Sequence, residues 1–319
     1  MMDDNALPFT HPKTILWGTG VENYDSIPNI IWIFWNSDTK QTLVEICLAK
    51  IKSMLPNFEI NILNYNTLNN FLPNAPKKRD DLPIANFSDL IRLDLLRSYG
   101  GFWIDASTLL TENLDWIIKL KSEKNPDMIG FFSDFFSNDL NNPILENWFL
   151  ASPKGNKFIE DWYQEYKTCY LSANPKEFYK DIVNNTKYIQ KIDHALATYI
   201  LPYISAIKMM RKNNNYRILM ISANDTAHYY NFALGLQPHH LAEIFLLKKT
   251  AGDVPKLIKF EKRGRKALDE YLNRGQYSKN SLLFQIIKEE KFYLKKLPRL
   301  FNYASYILNN IINKYLKHR

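Results

Sequence analysis

The stretch Ala85–Leu110, ANFSDLIRLDLLRSYGGFWIDASTLL, decides how this chain is read. The segment Ile84–Ser98 has enough apolar positions, Ile91 and Leu95 among them, to anchor a helix in a core. Asp89 and Arg92 are three residues apart and therefore share one helix face, with Ser88 and Leu96 beside it. Gly100–Gly101 is the expected stop and permits a tight turn with close backbone approach. Phe102–Ile104 then reads as a short apolar strand, which delivers Asp105-Ala106-Ser107 at its C-terminal end. In open α/β sheets that edge is where ligands bind. A carboxylate placed there can hold a hard cation carrying a diphosphate, or a ribose hydroxyl.

Each piece has an ordinary reading when taken alone. Asp89–Arg92 is then a helix ion pair worth about a few tenths of a kcal/mol. Asp94–Arg97 repeats the spacing and serves as an internal control, expected to be that ordinary pair. Asp105 alone is a turn residue. The ordered combination of Ser-Asp and Arg on a helix, paired glycines, a strand and then Asp is what argues for a site.

Outward from this stretch the chain reads as α/β. Asn29–Trp35 (NIIWIFW) is a continuous apolar run fit for a buried strand. Thr42–Leu55 follows at helical spacing, stopped by Pro56, and Phe58–Leu63 alternates as a second strand. This βαβ opening is half of a nucleotide-binding layout, without the GxGxxG of dinucleotide binders. Further strands are expected at Met128–Phe132 and Tyr216–Ile221, with mostly helix across Pro143–Arg211. Asn224–His240 is irregular and polar, as site-forming loops are.

The 319 residues and 46% hydrophobic content suffice for one large domain with helical additions. Cys47 and Cys169 fit no metal spacing and are expected to be buried, reduced thiols, which suits a cytoplasmic protein. Met1–Pro12 has neither the basic nor the apolar region of a signal peptide, and no run approaches the ~18 apolar residues of a spanning helix. Most of the +8 net charge lies in Lys288–Arg319, where eight Lys/Arg face two Glu. That distribution argues against nucleic acid as a partner. Phe292, Leu297, Ile307 and Leu316 are interleaved with that charge. The end reads either as an interfacial helix, peripheral on the inner face of the cytoplasmic membrane, or as a helix packed on the domain with a solvated basic face.

The pattern SDxxRxxLLxxYGGxWxDAS over Ser88–Ser107 resembles the capsular polysaccharide synthesis glycosyltransferases. Those are relatives of fungal mannosyltransferases and of sugar-transferring clostridial toxins, with a DXD-type motif. Ile30–Trp35 resembles the family's opening strand, Ile192-Asp193-His194 an acidic helix element, and Pro255-Lys256-Leu257 a closing element. The resemblance is specific over Asn29–Leu110, loose to about Phe260, and absent from the tail. It implies a GT-A-like, Rossmann-type, mostly parallel sheet flanked by helices over 29–262, after an N-terminal extension (1–28) and before a helical basic tail (263–319). It also implies a nucleotide-sugar donor, Mn²⁺ or Mg²⁺, a glycan or lipid-linked glycan acceptor, and a mostly retaining reaction. Carried over, Asp89 and Arg92 hold donor hydroxyls and phosphate, Asp105 is the first Asp of the motif, and Trp32 or Trp35 stacks on the base. Asp193 either orients the acceptor or caps a helix.

One position departs. Ser107 stands where the motif has its second Asp, and a hydroxyl is a weaker, neutral metal ligand. Asp225 and His228, with Asn224, are the candidates to complete an ion's shell with Asp105 and Ser107; His239-His240 is ambiguous. Ser107 also keeps open an inactive nucleotide-sugar-binding scaffold, beside the alternative of a toxin-like protein glycosyltransferase.

Overall fold

The computed structural model describes residues 7–290 and 307, apart from 21, 23, 38, 135, 138, 142, 184–199, 234, 236, 250 and 251. Asp193 and most of the basic amphipathic end lie outside the described residues.

In chain order the elements are β1 (Thr14–Trp17), β2 (Ile30–Phe34), α1 (Thr42–Met54), β3 (Glu59–Leu63), α2 (Ile84–Tyr99), β4 (Gly101–Ile104) and β5 (Thr108–Leu110). There follow α3 (Asp115–Lys124), β6 (Met128–Phe132), β7 (Leu145–Ser152), α4 (Lys157–Leu171), α5 (Lys180–Val183), α6 (Leu201–Lys212) and β8 (Ile218–Ser222). The chain then forms α7 (Pro238–Ala242), β9 (Leu257–Lys259), α8 (Lys262–Asn273) and α9 (Leu282–Glu289). Seven strands form one sheet in the order β1-β8-β6-β7-β4-β2-β3, and β5 pairs with β9 in a small second sheet. Helices cover both faces, giving an α/β architecture. The pairing is more mixed than expected: β3-β2-β4 and β6-β8 are parallel, while β7 runs antiparallel to both β4 and β6, and β1 antiparallel to β8. Residues ahead of position 29 thus supply an edge strand.

Strand order places the site. The chain leaves β2 for β3 on one side and returns through α2 to β4 on the other, so β2 and β4 flank a topological switch point. The crevice beyond the C-terminal ends of such strands is the usual ligand position. The glycine pair fixes how α2 feeds β4. Gly100 and Gly101 have φ of 69° and 96°, and a Cβ on Gly101 would sit 2.5 Å from the Ile30 carbonyl oxygen. Only glycine permits both the backbone angle and the contact with β2.

The expectation of helix from Pro143 onward fails at β7. LENWFLAS is buried along its whole length, so it lacks the alternation that marks a strand exposed on one face, and pattern alone does not separate it from a buried helix. Between the pairs Gly130↔Leu150 and Phe131↔Glu146 the strand carries extra residues relative to β6, a bulge at Asn147–Phe149. Bulges of this kind re-aim side chains beside sites.

One core lies between the sheet and α2, α4 and α6, another on the opposite face with α1 and α3. A third joins Leu43, Ile46 and Cys47 of α1 to Leu268 and Tyr271 of α8 and Leu283 and Ile287 of α9. The first part of the segment after 262 is therefore packed on α1. Cys47 and Cys169 are buried free thiols. No helix among the described residues is long and apolar enough to cross a membrane.

Candidate active site

Four charged side chains of alternating sign line up at the end of β4. Arg92 Nη2 lies 3.0 Å from Asp89 Oδ1 and 3.5 Å from Asp105 Oδ1, and Lys259 Nζ lies 3.1 Å from Asp105 Oδ2. The three residues read from the sequence converge, and a fourth joins them.

Each is held from a different element. Asp89 and Arg92 project from α2 towards the β7 bulge, where Asn147 Nδ2 donates to Asp89 Oδ1 at 3.0 Å and the Asn147 carbonyl accepts from Arg92 Nη1. The guanidinium also lies over the Trp103 ring, 4.8 Å from its centroid, a cation–π contact that desolvation strengthens. Asp105 closes a tight turn: its N–H donates to the Trp148 carbonyl and its own carbonyl accepts from Thr108 N–H, both at 2.9 Å. The Trp103 indole N–H donates to Asp105 Oδ1 at 2.9 Å. Lys259 ends β9 opposite Thr108 and also donates to Ser107 Oγ at 2.9 Å.

Exposure separates the members. The side chains of Arg92, Asp89 and Lys259 are 5%, 8% and 10% exposed, against 26% for Asp105. Asp105 is thus the most solvent-accessible member of the row. Burial pushes the Asp89 carboxyl up to about 7, against the pull of Arg92 and helped by the nearby Asp105 charge. Burial also acts to raise Asp105, but the positive charges of Lys259 and Arg92 outweigh it and hold that carboxyl below its ordinary value. Near neutral pH Asp89 is therefore only partly ionised, so the row leans positive, an arrangement suited to an anionic ligand.

Other expected site residues fall elsewhere. Trp32 is 1% exposed, packs against Phe71 and Tyr99, and donates its indole N–H to the Gly100 carbonyl. It is a core residue and does not stack on a ligand. Trp35, at the C-terminal end of β2, is partly exposed and has the Arg265 guanidinium over its ring at 5.3 Å. Asp225, His228 and Asp105 do not gather as one metal-ligand group. The Asp225 carboxylate accepts from the Lys13 N–H at 2.9 Å. His228 Nε2 lies 3.4 Å from Glu146 and 3.7 Å from Glu261, with its ring against Trp148. Among the described residues no three His, Cys, Asp or Glu side chains gather as a metal site. His239 and His240 are exposed on α7.

Sequence reasoning misses two members of the site. Asn147 is one, because β7 reads as helix. Lys259 is the other, although its signal is present: a lone lysine closes the apolar run Leu257-Ile258 and precedes Phe260, and a lysine inside such a run is buried only with a partner.

A family model described as capsular polysaccharide synthesis protein matches residues 19–224. The chain is 34% identical over 96 residues to O-glycosyltransferase braB of Annulohypoxylon truncatum, covering 29% of this chain and 22% of that protein. It is 25% identical over 167 residues to Glycosyltransferase afumC of Aspergillus fumigatus, covering 47% of this chain and 42% of that protein. The chain therefore spans less than half the length of these curated relatives. Among solved structures, PaToxG Glycosyltransferase aligns at 11% identity with a TM-score of 0.36, over 59% of this chain and 70% of that one. The family match contains Asp89, Arg92, Asp105 and Ser107, stops short of Lys259, and spans well over half of the sequence, so the chain belongs to the capsular polysaccharide synthesis protein family.

Proposed function

We propose that this chain is a glycosyltransferase that moves a sugar from a nucleotide-sugar donor to a surface-polysaccharide precursor, free or lipid-linked, with retention at the anomeric carbon. The observation that carries the reading is the convergence of Asp89, Arg92 and Asp105 at the switch point of the sheet. The family description and the names of the curated relatives support it.

In this reading Arg92 and Lys259 meet the donor phosphates, and Asp105, the exposed member, accepts from donor hydroxyls. Trp35 is the aromatic surface left for the base, since Trp32 is enclosed. The bond from the anomeric carbon to phosphate breaks with its electron pair on the phosphate oxygen. The acceptor oxygen bonds that carbon on the same face, and the acceptor proton passes to the departing phosphate. Fixed positive charge beside the leaving group lowers that barrier, because it needs no reorganisation as charge develops.

The test is nucleotide release from UDP-, GDP- and CMP-sugars. Asp105→Ala is expected to lose at least about a hundredfold in release while circular dichroism and the melting temperature show a retained fold. Parental activity in that variant would remove the assignment.

A further inference from the structure

We propose that the Lys259 ammonium takes the place of the divalent cation at the end of β4, so that the chain binds and releases its nucleotide without a metal. This rests on the glycosyltransferase reading and deepens it.

The geometry is specific. A metal shared by the first and third positions of Asp105-Ala106-Ser107 needs oxygens from both. Here those oxygens face one lysine: Nζ is 3.1 Å from Asp105 Oδ2 and 2.9 Å from Ser107 Oγ. A divalent ion there would lie against a fixed positive charge, and Ser107 brings a neutral oxygen where a second carboxylate would supply compensating charge. The donor set therefore does not fit a tightly held Mn²⁺ or Mg²⁺.

The lysine is also built in. β9 pairs with β5 so that Lys259 stands opposite Thr108. Its N–H donates to the Ala227 carbonyl at 2.9 Å, and the Phe260 N–H donates to the Ser107 carbonyl at 3.0 Å. The backbones carrying cation and acceptors are thus tied on both sides of the contact, and the lysine side chain is 10% exposed. An ammonium has three donors. Asp105 and Ser107 engage two, leaving one to meet a phosphate oxygen beside Asp105. Arg92, 3.5 Å from the other Asp105 oxygen and shared with Asp89 at 3.0 Å, adds positive charge on that side. Neither side chain can be removed by a chelator. In the transfer step the electron pair of the breaking bond comes to rest on the phosphate oxygen facing these two cations.

The test uses the full chain, with UDP-, GDP- and CMP-sugars for turnover and UDP, GDP and CMP for calorimetric titration, in excess EDTA and in Mn²⁺ or Mg²⁺. Wild-type turnover and nucleotide affinity are expected to be the same in EDTA as with either ion. Lys259→Ala is expected to lower release at least about a hundredfold and to weaken nucleotide binding in EDTA, with Lys259→Arg recovering part of both. Lys259→Ala combined with Ser107→Asp is expected to bind nucleotide only when Mn²⁺ is added. Wild-type activity or nucleotide affinity abolished by EDTA and restored by the ion would overturn the proposal, as would parental nucleotide affinity in folded Lys259→Ala. If Lys259→Ala does not fold, the wild-type comparison decides alone. If no donor is turned over in any condition, the transferase reading fails, and nucleotide affinity with and without the ion still decides the role of Lys259.

Discussion

Helix α2 carries two Asp–Arg pairs at the same spacing, and they do different things. Asp89–Arg92 faces the β7 bulge and the end of β4, and its guanidinium reaches a third residue, Asp105. Asp94–Arg97, less than two turns later, faces α4. Arg97 Nε donates to Asp94 Oδ1 at 2.8 Å, and the Tyr163 hydroxyl donates to Asp94 Oδ2 at 3.1 Å. The Arg97 guanidinium covers the Tyr163 ring at 4.3 Å and approaches Glu160 at 3.5 Å. Spacing alone predicts an ordinary second pair, and it is not ordinary: the Asp94 side chain is 6% exposed, so the pair clamps two helices. Spacing specifies that two side chains share a face. What stands opposite that face decides whether they form a site or a joint.

The largest expected effect that tests this contrast is Arg92→Met. The change removes the cation that pairs the buried Asp89 carboxyl and reaches the more exposed Asp105, so it should lower nucleotide release about 10²–10³-fold. It should also cost about 3 kcal/mol or more of stability in urea unfolding, since breaking a buried pair strands the remaining charge. If release survives while stability falls, the first pair is a joint like the second and the contrast collapses.

Next comes the pH dependence of Asp89. Burial raises its folded value to about 7 from an ordinary 3.8. Between those values the folded chain holds a proton that the unfolded chain has lost, so stability falls as pH rises through the window. Asp105 has the opposite sign: its lowered value gives stability that is present above the ordinary carboxylate range and lost in acid. Asp89→Asn should flatten the decline between about pH 4 and pH 7 in urea unfolding curves. The flattening will be incomplete, because burial also raises Asp127 and Asp269. An unchanged slope would show that Asp89 is ionised in the fold.

The clamp should respond the other way round. Asp94→Ala removes the acceptor for Arg97 and Tyr163, and the expected loss is about 2 kcal/mol. Nucleotide release per folded molecule should stay at the parental level, because none of the described contacts of Asp94 reaches Asp105, Arg92 or Lys259. A large drop in release at constant fold would mean that the two halves of α2 act as one unit.

What is legible in the sequence follows from where information is local. The helix, glycine pair, strand and Asp105 lie within one stretch, and each step has a local cause, so these elements and their order are legible, while the contact between Arg92 and Asp105 is made by the fold. β7 is not legible, because burial on both faces erases its period. Asn147 is lost with it, since its position depends on a bulge defined by two neighbouring strands. Lys259 lies far along the chain from Asp105 and reaches it through β5–β9 pairing, a register that no local pattern contains. Trp32 and Trp35 show the limit in miniature: one apolar run offers both rings, and only the fold buries the first against Phe71 and Tyr99.

The smallest expected effect is the most selective test of the clamp. Tyr163→Phe deletes one hydroxyl and keeps the ring beneath Arg97. Asp94 then retains Arg97 at 2.8 Å, so the carboxylate is not stranded, and the expected loss is only about 1 kcal/mol. Combining it with Asp94→Ala should cost little more than Asp94→Ala alone, since the hydroxyl's acceptor is already gone. Full additivity in the double variant would mean that the hydroxyl acts through some other contact, and α2 would then be held to α4 by the stacked guanidinium and apolar packing, with the Tyr163–Asp94 hydrogen bond contributing nothing measurable.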